Sequence, residues 1–254
     1  MKKKNTWMFY NDQELDELEN ISNDYKEFIS NSKTEREATN NIVRLVEEHG
    51  FKNLDYYIEN DILLCPYDKV YVNNRGKSVA LFVIGDEDIR CGINILGAHI
   101  DSPRLDLKSN PLYESDEFAY FDTHYYGGIK KYQWVTLPLA LHGVVVKKNG
   151  EKITINIGEN SNDPVFGITD LLPHLGREQM KKDANEVISG DNLDILIGSK
   201  PLNLDDKDKE DLVKRNILNI LKEKYDIEDE DFLSSEIEVV PAGVARDFGF
   251  DRSM

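Results

Sequence analysis

The chain has 254 residues, and 31 Lys and Arg against 48 Asp and Glu leave a formal charge of −17. Hydrophobic residues make up 40% and aromatics 9%, enough for a packed core, so wholesale disorder is excluded. So acidic a chain argues against nucleic acid as a partner and against anionic membrane surfaces, because both need a basic face.

The longest purely apolar run, residues 79–84, is far short of the ~20 residues that span a bilayer. Lys2, Lys3 and Lys4 imitate the start of an export signal, but the segment after them lacks its apolar core. Cys65 and Cys91 are the only cysteines, too few for a disulfide framework and too far apart for a Cys-x-x-Cys pair. The expectation is a soluble, cytoplasmic protein.

The first fifty residues read as two helices. Leu15, Leu18, Ile21, Tyr25, Phe28 and Ile29 recur at steps of three and four and make one apolar stripe. Thr34 stands three residues before Glu37, a capping-box spacing. It predicts a second helix with Ala38, Ile42, Leu45 and Val46 on its buried face, ended by His49 and Gly50. Short β-rich runs come next at 62–65, 69–72 and 79–84, with a turn at 73–76. Residues 92–99 predict a further strand. Helices followed by strands predict an α/β layer.

Asn149-Gly150 is a strong hairpin signal between 141–148 and 151–158. Ile153, Ile155 and Ile157 alternate with Thr154 and Asn156, so one strand face is buried. Residues 163–182 read as loop and short helix. Residues 205–225 read as a charged helix with Leu212, Ile217, Leu218 and Leu221 inward, and 237–240 as a closing strand. The acidic stretch 205–231 is expected to be a solvated helix and turn.

No Gly-x-Ser-x-Gly elbow and no His-Glu-x-x-His helix is present. Gly76-Lys77-Ser78 has Tyr71 where a phosphate loop needs glycine, which dismisses nucleotide binding there. The informative cluster is Gly97-Ala98-His99-Ile100-Asp101-Ser102-Pro103. Side chains two apart at a strand end point to one side, so His99 and Asp101 face one site. A metal-ligating imidazole needs its second nitrogen held, commonly by a carboxylate. Pro103 stops the strand and stiffens the loop after it. By spacing alone, a satisfied histidine near a turn explains the pair equally well, and one His with one carboxylate completes no zinc site. Gly127-Gly128 reads as a loop turn. His124 and His142 read as surface or half-buried, and His174, between apolar neighbours, as a core-edge histidine.

Residues 97–105 nevertheless resemble the His-x-Asp-Ser-Pro motif of the aspartyl aminopeptidase and aminopeptidase I family of zinc peptidases. Three further stretches resemble that family in the same order: Tyr126-Gly127-Gly128-Ile129, Leu172-Pro173-His174-Leu175, and residues 240–251 from Val240-Pro241 to Phe250-Asp251. The resemblance implies part of a zinc-peptidase-like α/β catalytic domain with an inserted β-rich dimerisation domain. The expected division is 1–109 for the catalytic start, 110–235 for the insertion and 236–254 for the return. Members form tetrahedral dodecamers and remove N-terminal residues, many of them acidic, from peptides. Two zinc ions share a bridging carboxylate and a water, with a Glu as general base. By position, the resemblance implies that His99 is a zinc ligand, that Asp101 orients it, and that His174 is presented to metal or substrate.

In the family the bridging aspartate, the general base and the remaining ligands come after the position of Met254. Asp247 and Asp251 lie on the approach to them and match no ligand motif. The expectation is the N-terminal portion of a zinc aminopeptidase, inactive alone. The alternatives are a non-catalytic subunit-assembly or binding module, and a mononuclear hydrolase built on His99. A truncated catalytic sheet predicts unpartnered edge strands at 92–99 and 237–240.

Overall fold

The structure is a computed structural model that describes residues 4–202 and 210–254. The chain forms two compact units, Met1–Asp101 with Val244–Met254, and Ser102–Gly243.

In the first unit, helix α1 (Asp12–Ser30) starts on a capping box of Asn11 and Glu14, and helix α2 (Glu35–Glu48) on the expected box of Thr34 and Glu37. His49 ends α2, its Nδ1 2.8 Å from the Leu45 carbonyl. Ala38 and Val46 are buried, whereas Leu45 is exposed. A two-residue strand β1 (Lys52–Asn53) leads into helix α3 (Leu54–Glu59). Strands β2 (Lys69–Asn74) and β3 (Ser78–Val83) form a hairpin through Arg75 and Gly76, both at positive φ. That turn is where the glycine of the dismissed phosphate loop stands. Tyr71 Oη bonds Glu47 at 2.5 Å and ties β2 to α2.

Two strand expectations fail in this unit. Residues 62–65 and 92–99 are irregular, and Leu63, Ile93, Ile95 and Leu96 are exposed. β-branched, apolar composition suits a pleated surface, but a strand forms only against a ladder partner. Among the described residues, the first unit buries only Ala38, Val46, Tyr57, Val70 and Tyr71 as apolar side chains.

The second unit is a six-stranded antiparallel sheet. Its strands are β4 (Arg104–Ser115), β5 (Phe118–Tyr126), β6 (Leu139–Val146), β7 (Lys152–Ile157), β8 (Ile195–Gly198) and β9 (Ser235–Pro241), in the order β7-β6-β9-β4-β5-β8. Asn149-Gly150 turns β6 into β7 as expected. Residues 237–240 are therefore no edge strand of a catalytic sheet. They lie in β9, between β6 and β4, because their alternation buries Ile237 and Val239 in this unit's core. The sheet starts at Arg104 and ends at Pro241, so the unit boundaries fall outside the expected 110 and 235.

Leu105, Leu141, Val145, Ile155, Ile195 and Val239 anchor one continuous core, completed by Phe232 and by helix α4 (Leu212–Tyr225). The expected helix over 205–225 lies partly outside the described residues, and its described part buries Val213 and Leu221. Asp211 gives α4 no side-chain cap. Glu114 of β4 supplies it instead, one carboxylate oxygen accepting the Val213 and Lys214 N–H groups at 2.9 Å each.

Gly143 in β6 has φ +150, and a Cβ there would stand 1.9 Å from the Glu236 carbonyl oxygen of β9. Gly143→Ala is expected to cost about 2–4 kcal/mol, read as a lowered urea midpoint of the sheet unit. Hydrogen exchange is expected to separate the units: amides of β4, β6 and β9 protected most, those of residues 92–99 exchanging near the unprotected rate. Equal protection in both would contradict this account of the core.

Candidate metal-ligand site

His99 and Asp101 close the first segment of the first unit, after the exposed apolar run. The expected strand is absent, yet the pair meets. His99 Nδ1 is 3.0 Å from the backbone carbonyl of Asp101 and 3.1 Å from its Oδ1. A carbonyl oxygen only accepts, so Nδ1 is the donor in this contact and Nε2 lies outside it. The ring is 84% exposed. An exposed imidazole nitrogen with its opposite nitrogen held by a carboxylate is the donor arrangement of a metal-binding histidine.

Imidazole and carboxylate chemistry suits zinc, which takes three protein ligands and a water, or four protein ligands. Among the described residues no group of three or more His, Cys, Asp or Glu side chains lies close enough to hold a metal. Among the described residues the pair is one imidazole with one carboxylate beside it, short of the donor set a zinc ion takes.

His174 belongs to the second unit. It is not a core-edge residue: it sits in an exposed turn, and Leu171, Leu172 and Leu175 around it are exposed as well. The irregular segment there supplies no face for them to cover. The structure brings His99 and Asp101 together and leaves His174 in the other unit.

His142 is 2% exposed, deeper than its sequence surroundings suggest. Its Nε2 lies 2.9 Å from Glu159 Oε1, and the other oxygen of Glu159 accepts the Gly243 N–H at 3.0 Å. In register, His142 faces Glu238, Glu238 faces Asp106, and Asp106 faces His124.

The aminopeptidase I zinc metalloprotease (M18) family matches residues 28–254. The chain belongs to this family. It is 55% identical over 251 residues to the probable M18 family aminopeptidase 1 of Clostridium acetobutylicum, covering 99% of this chain and 54% of that protein. The crystal structure of the M18 family aminopeptidase from Thermotoga maritima superposes with TM-score 0.89 at 46% identity, covering 100% of this chain and 53% of that one. The S. cerevisiae mApe1 dodecamer structure shares the fold at TM-score 0.66 and 17% identity, covering 93% of this chain and 51% of that one. The chain spans about half the length of the M18 relatives it matches.

The M18-like segment after Pro241 is pinned within the first unit. Asp247 binds Lys26 at 2.5 Å and Arg252 at 2.6 and 2.8 Å, while Ser30 Oγ accepts the Ala245 N–H at 3.0 Å. The Lys26 ammonium, then the Arg252 guanidinium, holds the Asp247 carboxyl below its ordinary range. Because the folded value is depressed, the stabilisation is present above the unfolded value near ~3.9 and is lost as pH falls through the folded one. Lys26→Met is therefore expected to destabilise the chain at neutral pH, with the difference from the unaltered chain shrinking below about pH 4. Acid unfolding followed by circular dichroism checks it; a pH-independent difference would refute the ion-pair account.

Proposed function

We propose that this chain serves a zinc-dependent aminopeptidase that removes N-terminal residues, acidic ones included, from peptides. The observation that carries the reading is the His99 ring, held at Nδ1 by Asp101 and open at Nε2, in a member of the M18 family. In this reading His99 is a terminal ligand of one of two zinc ions, Asp101 orients it, and His174 faces metal or substrate. The remaining ligands and the general base come from the part of M18 proteins beyond this chain's match. Bound zinc supplies Lewis acidity toward the scissile carbonyl and an activated water. His99 would hold the metal through Nε2, with Asp101 accepting from Nδ1 and fixing the turn of the ring.

The working form is proposed to be a cytoplasmic homo-oligomer, with the β-rich unit as the pairing element. A distant structural neighbour described as a dodecamer supports the oligomer. No helix among the described residues is long and apolar enough to cross a membrane.

The test uses this chain and a chimera that joins it to the second half of the Clostridium acetobutylicum relative. With zinc, the chain alone is expected not to hydrolyse aspartyl- or leucyl-anilides, and the chimera to do so. In the chimera, His99→Ala is expected to abolish turnover and Asp101→Asn to lower it about 10–100-fold. Full turnover and zinc content in the His99→Ala chimera would overturn the assignment. A chimera that assembles without turnover would favour the non-catalytic module.

A further inference from the structure

The tip of the β6–β7 hairpin holds the one Asn-Gly pair in the sequence, Asn149-Gly150, and residues 148–151 there are exposed. Gly150 donates its N–H to the Lys147 carbonyl at 2.8 Å, and Lys147 donates its own to the Glu151 carbonyl at 2.8 Å. These bonds close a short loop with Gly150 at φ +87, a conformation that glycine takes without strain. A Cβ at Gly150 would meet no atom within 4 Å, so the glycine stands in open space. The side-chain amide of Asn149 is held at both ends by Glu151. Its Oδ1 accepts the Glu151 N–H at 2.9 Å, and its Nδ2 lies 3.4 Å from Glu151 Oε2. The turn itself needs only the first of these contacts.

We propose that Asn149 is a self-modification site, at which the Gly150 backbone nitrogen displaces the side-chain amide. The Gly150 N–H first leaves the Lys147 carbonyl, an opening that is easy at an exposed hairpin tip. Its nitrogen gives its proton to solvent and bonds to Asn149 Cγ. Charge then develops on Oδ1, where the Glu151 N–H already donates. The Cγ–Nδ2 bond breaks, and Nδ2 takes a proton from water and leaves as ammonia. The Glu151 carboxylate beside Nδ2 stabilises the positive charge that gathers there. Water opens the resulting succinimide ring at either carbonyl. One route gives aspartate, which suits the same turn. The other gives isoaspartate, which diverts the backbone through the side chain and lengthens it by a methylene. The longer loop cannot keep both the Lys147–Glu151 bond and the pairing of Val146 with Lys152. β7 is an edge strand paired with β6, so the isoaspartate form loosens β7 and leaves the rest of the sheet in place.

The experiment incubates the whole folded 254-residue chain at mildly alkaline pH and follows each asparagine in tryptic peptides by mass spectrometry. An isoaspartyl methyltransferase counts the isoaspartate product. Asn31 and Asn160, each followed by serine, are the internal references. Asn149 is expected to convert ahead of both, to a mixture of aspartate and isoaspartate. Glu151→Gln is expected to slow the conversion about two- to fivefold, the range that an exposed charge contact gives. Amide exchange over Lys152–Ile157 is expected to rise in the isoaspartate form and to stay unchanged in Asn149→Asp, which carries the other product alone. An Asn149 that stays intact, or that converts no faster than Asn31 and Asn160, overturns the proposal. So does an unchanged rate in Glu151→Gln with the circular dichroism of the unaltered chain. Unmoved β7 amides in the isoaspartate form would overturn the loosening.

Discussion

Where β4 meets β9, Leu105 stands opposite Val239 and Asp106 opposite Glu238. This short antiparallel ladder joins the point at which the chain enters the second unit to the point at which it leaves. Ends that lie side by side are the condition for carrying one compact unit inside another, because the host sees the same short gap whatever fills it. The strand order is a consequence. β9 must be an interior strand, since it closes the gap against β4 and carries β6 and β7 on its other side. The first unit can then resume at Val244.

Burial is divided unequally between the units. The continuous apolar core belongs to the second, from Leu105 to Val239. The first is held by caps and polar ties: Asn11 with Glu14, Thr34 with Glu37, Tyr71 with Glu47, and Asp247 with Lys26 and Arg252. A cap contributes about 1 kcal/mol and an exposed ion pair about 0–1. Burying one large apolar side chain contributes about 1.5–3. Polar ties of this kind can set helix ends and loop positions, but they do not replace a core. The chain's hydrophobic 40% is buried mainly in the sheet unit, while Leu63, Val83, Ile93, Ile95 and Leu96 remain exposed.

What could be read from the sequence divides along the same physical line. Signals that are complete within a few residues were legible. The capping box at Thr34, the Asn149-Gly150 hairpin and the alternation of Ile153, Ile155 and Ile157 all carry their own partners nearby. Signals that need a distant partner were not. Residues 62–65 and 92–99 have strand composition and no ladder, and 237–240 has a ladder that no local pattern reveals. The β4–β5 hairpin hid for another reason: Asp116 and Glu117 take positive φ without the glycine that marks such turns, and the register slips between Leu107 and Leu112. At the candidate site, the contact between His99 and Asp101 was legible because it spans two residues. The burial of His142, and the partners of Arg104 on neighbouring strands, depend on sheet order and were not.

The buried polar and charged groups at the closing ladder bear on why that order is unique. Arg104 Nε donates to Asp106 Oδ1 at 2.7 Å and lies 3.3 Å from Glu238 Oε2 on β9. Arg104, Glu238 and His142 occupy positions that apolar side chains could fill at lower desolvation cost. Their value lies in register. A slip of β9 by one residue against β4 and β6 would turn Glu238 into the apolar face and bring Ile237 or Val239 among Arg104, Asp106 and His142. It would strand a carboxylate in the core and leave a guanidinium without one of its acceptors, and each of these costs several kcal/mol. An all-apolar ladder would tolerate the slip far better. The charges therefore lower stability but fix which residues meet where the chain passes between its two units. The apolar face of the same strands, around Leu105 and Val239, supplies the burial that offsets the loss.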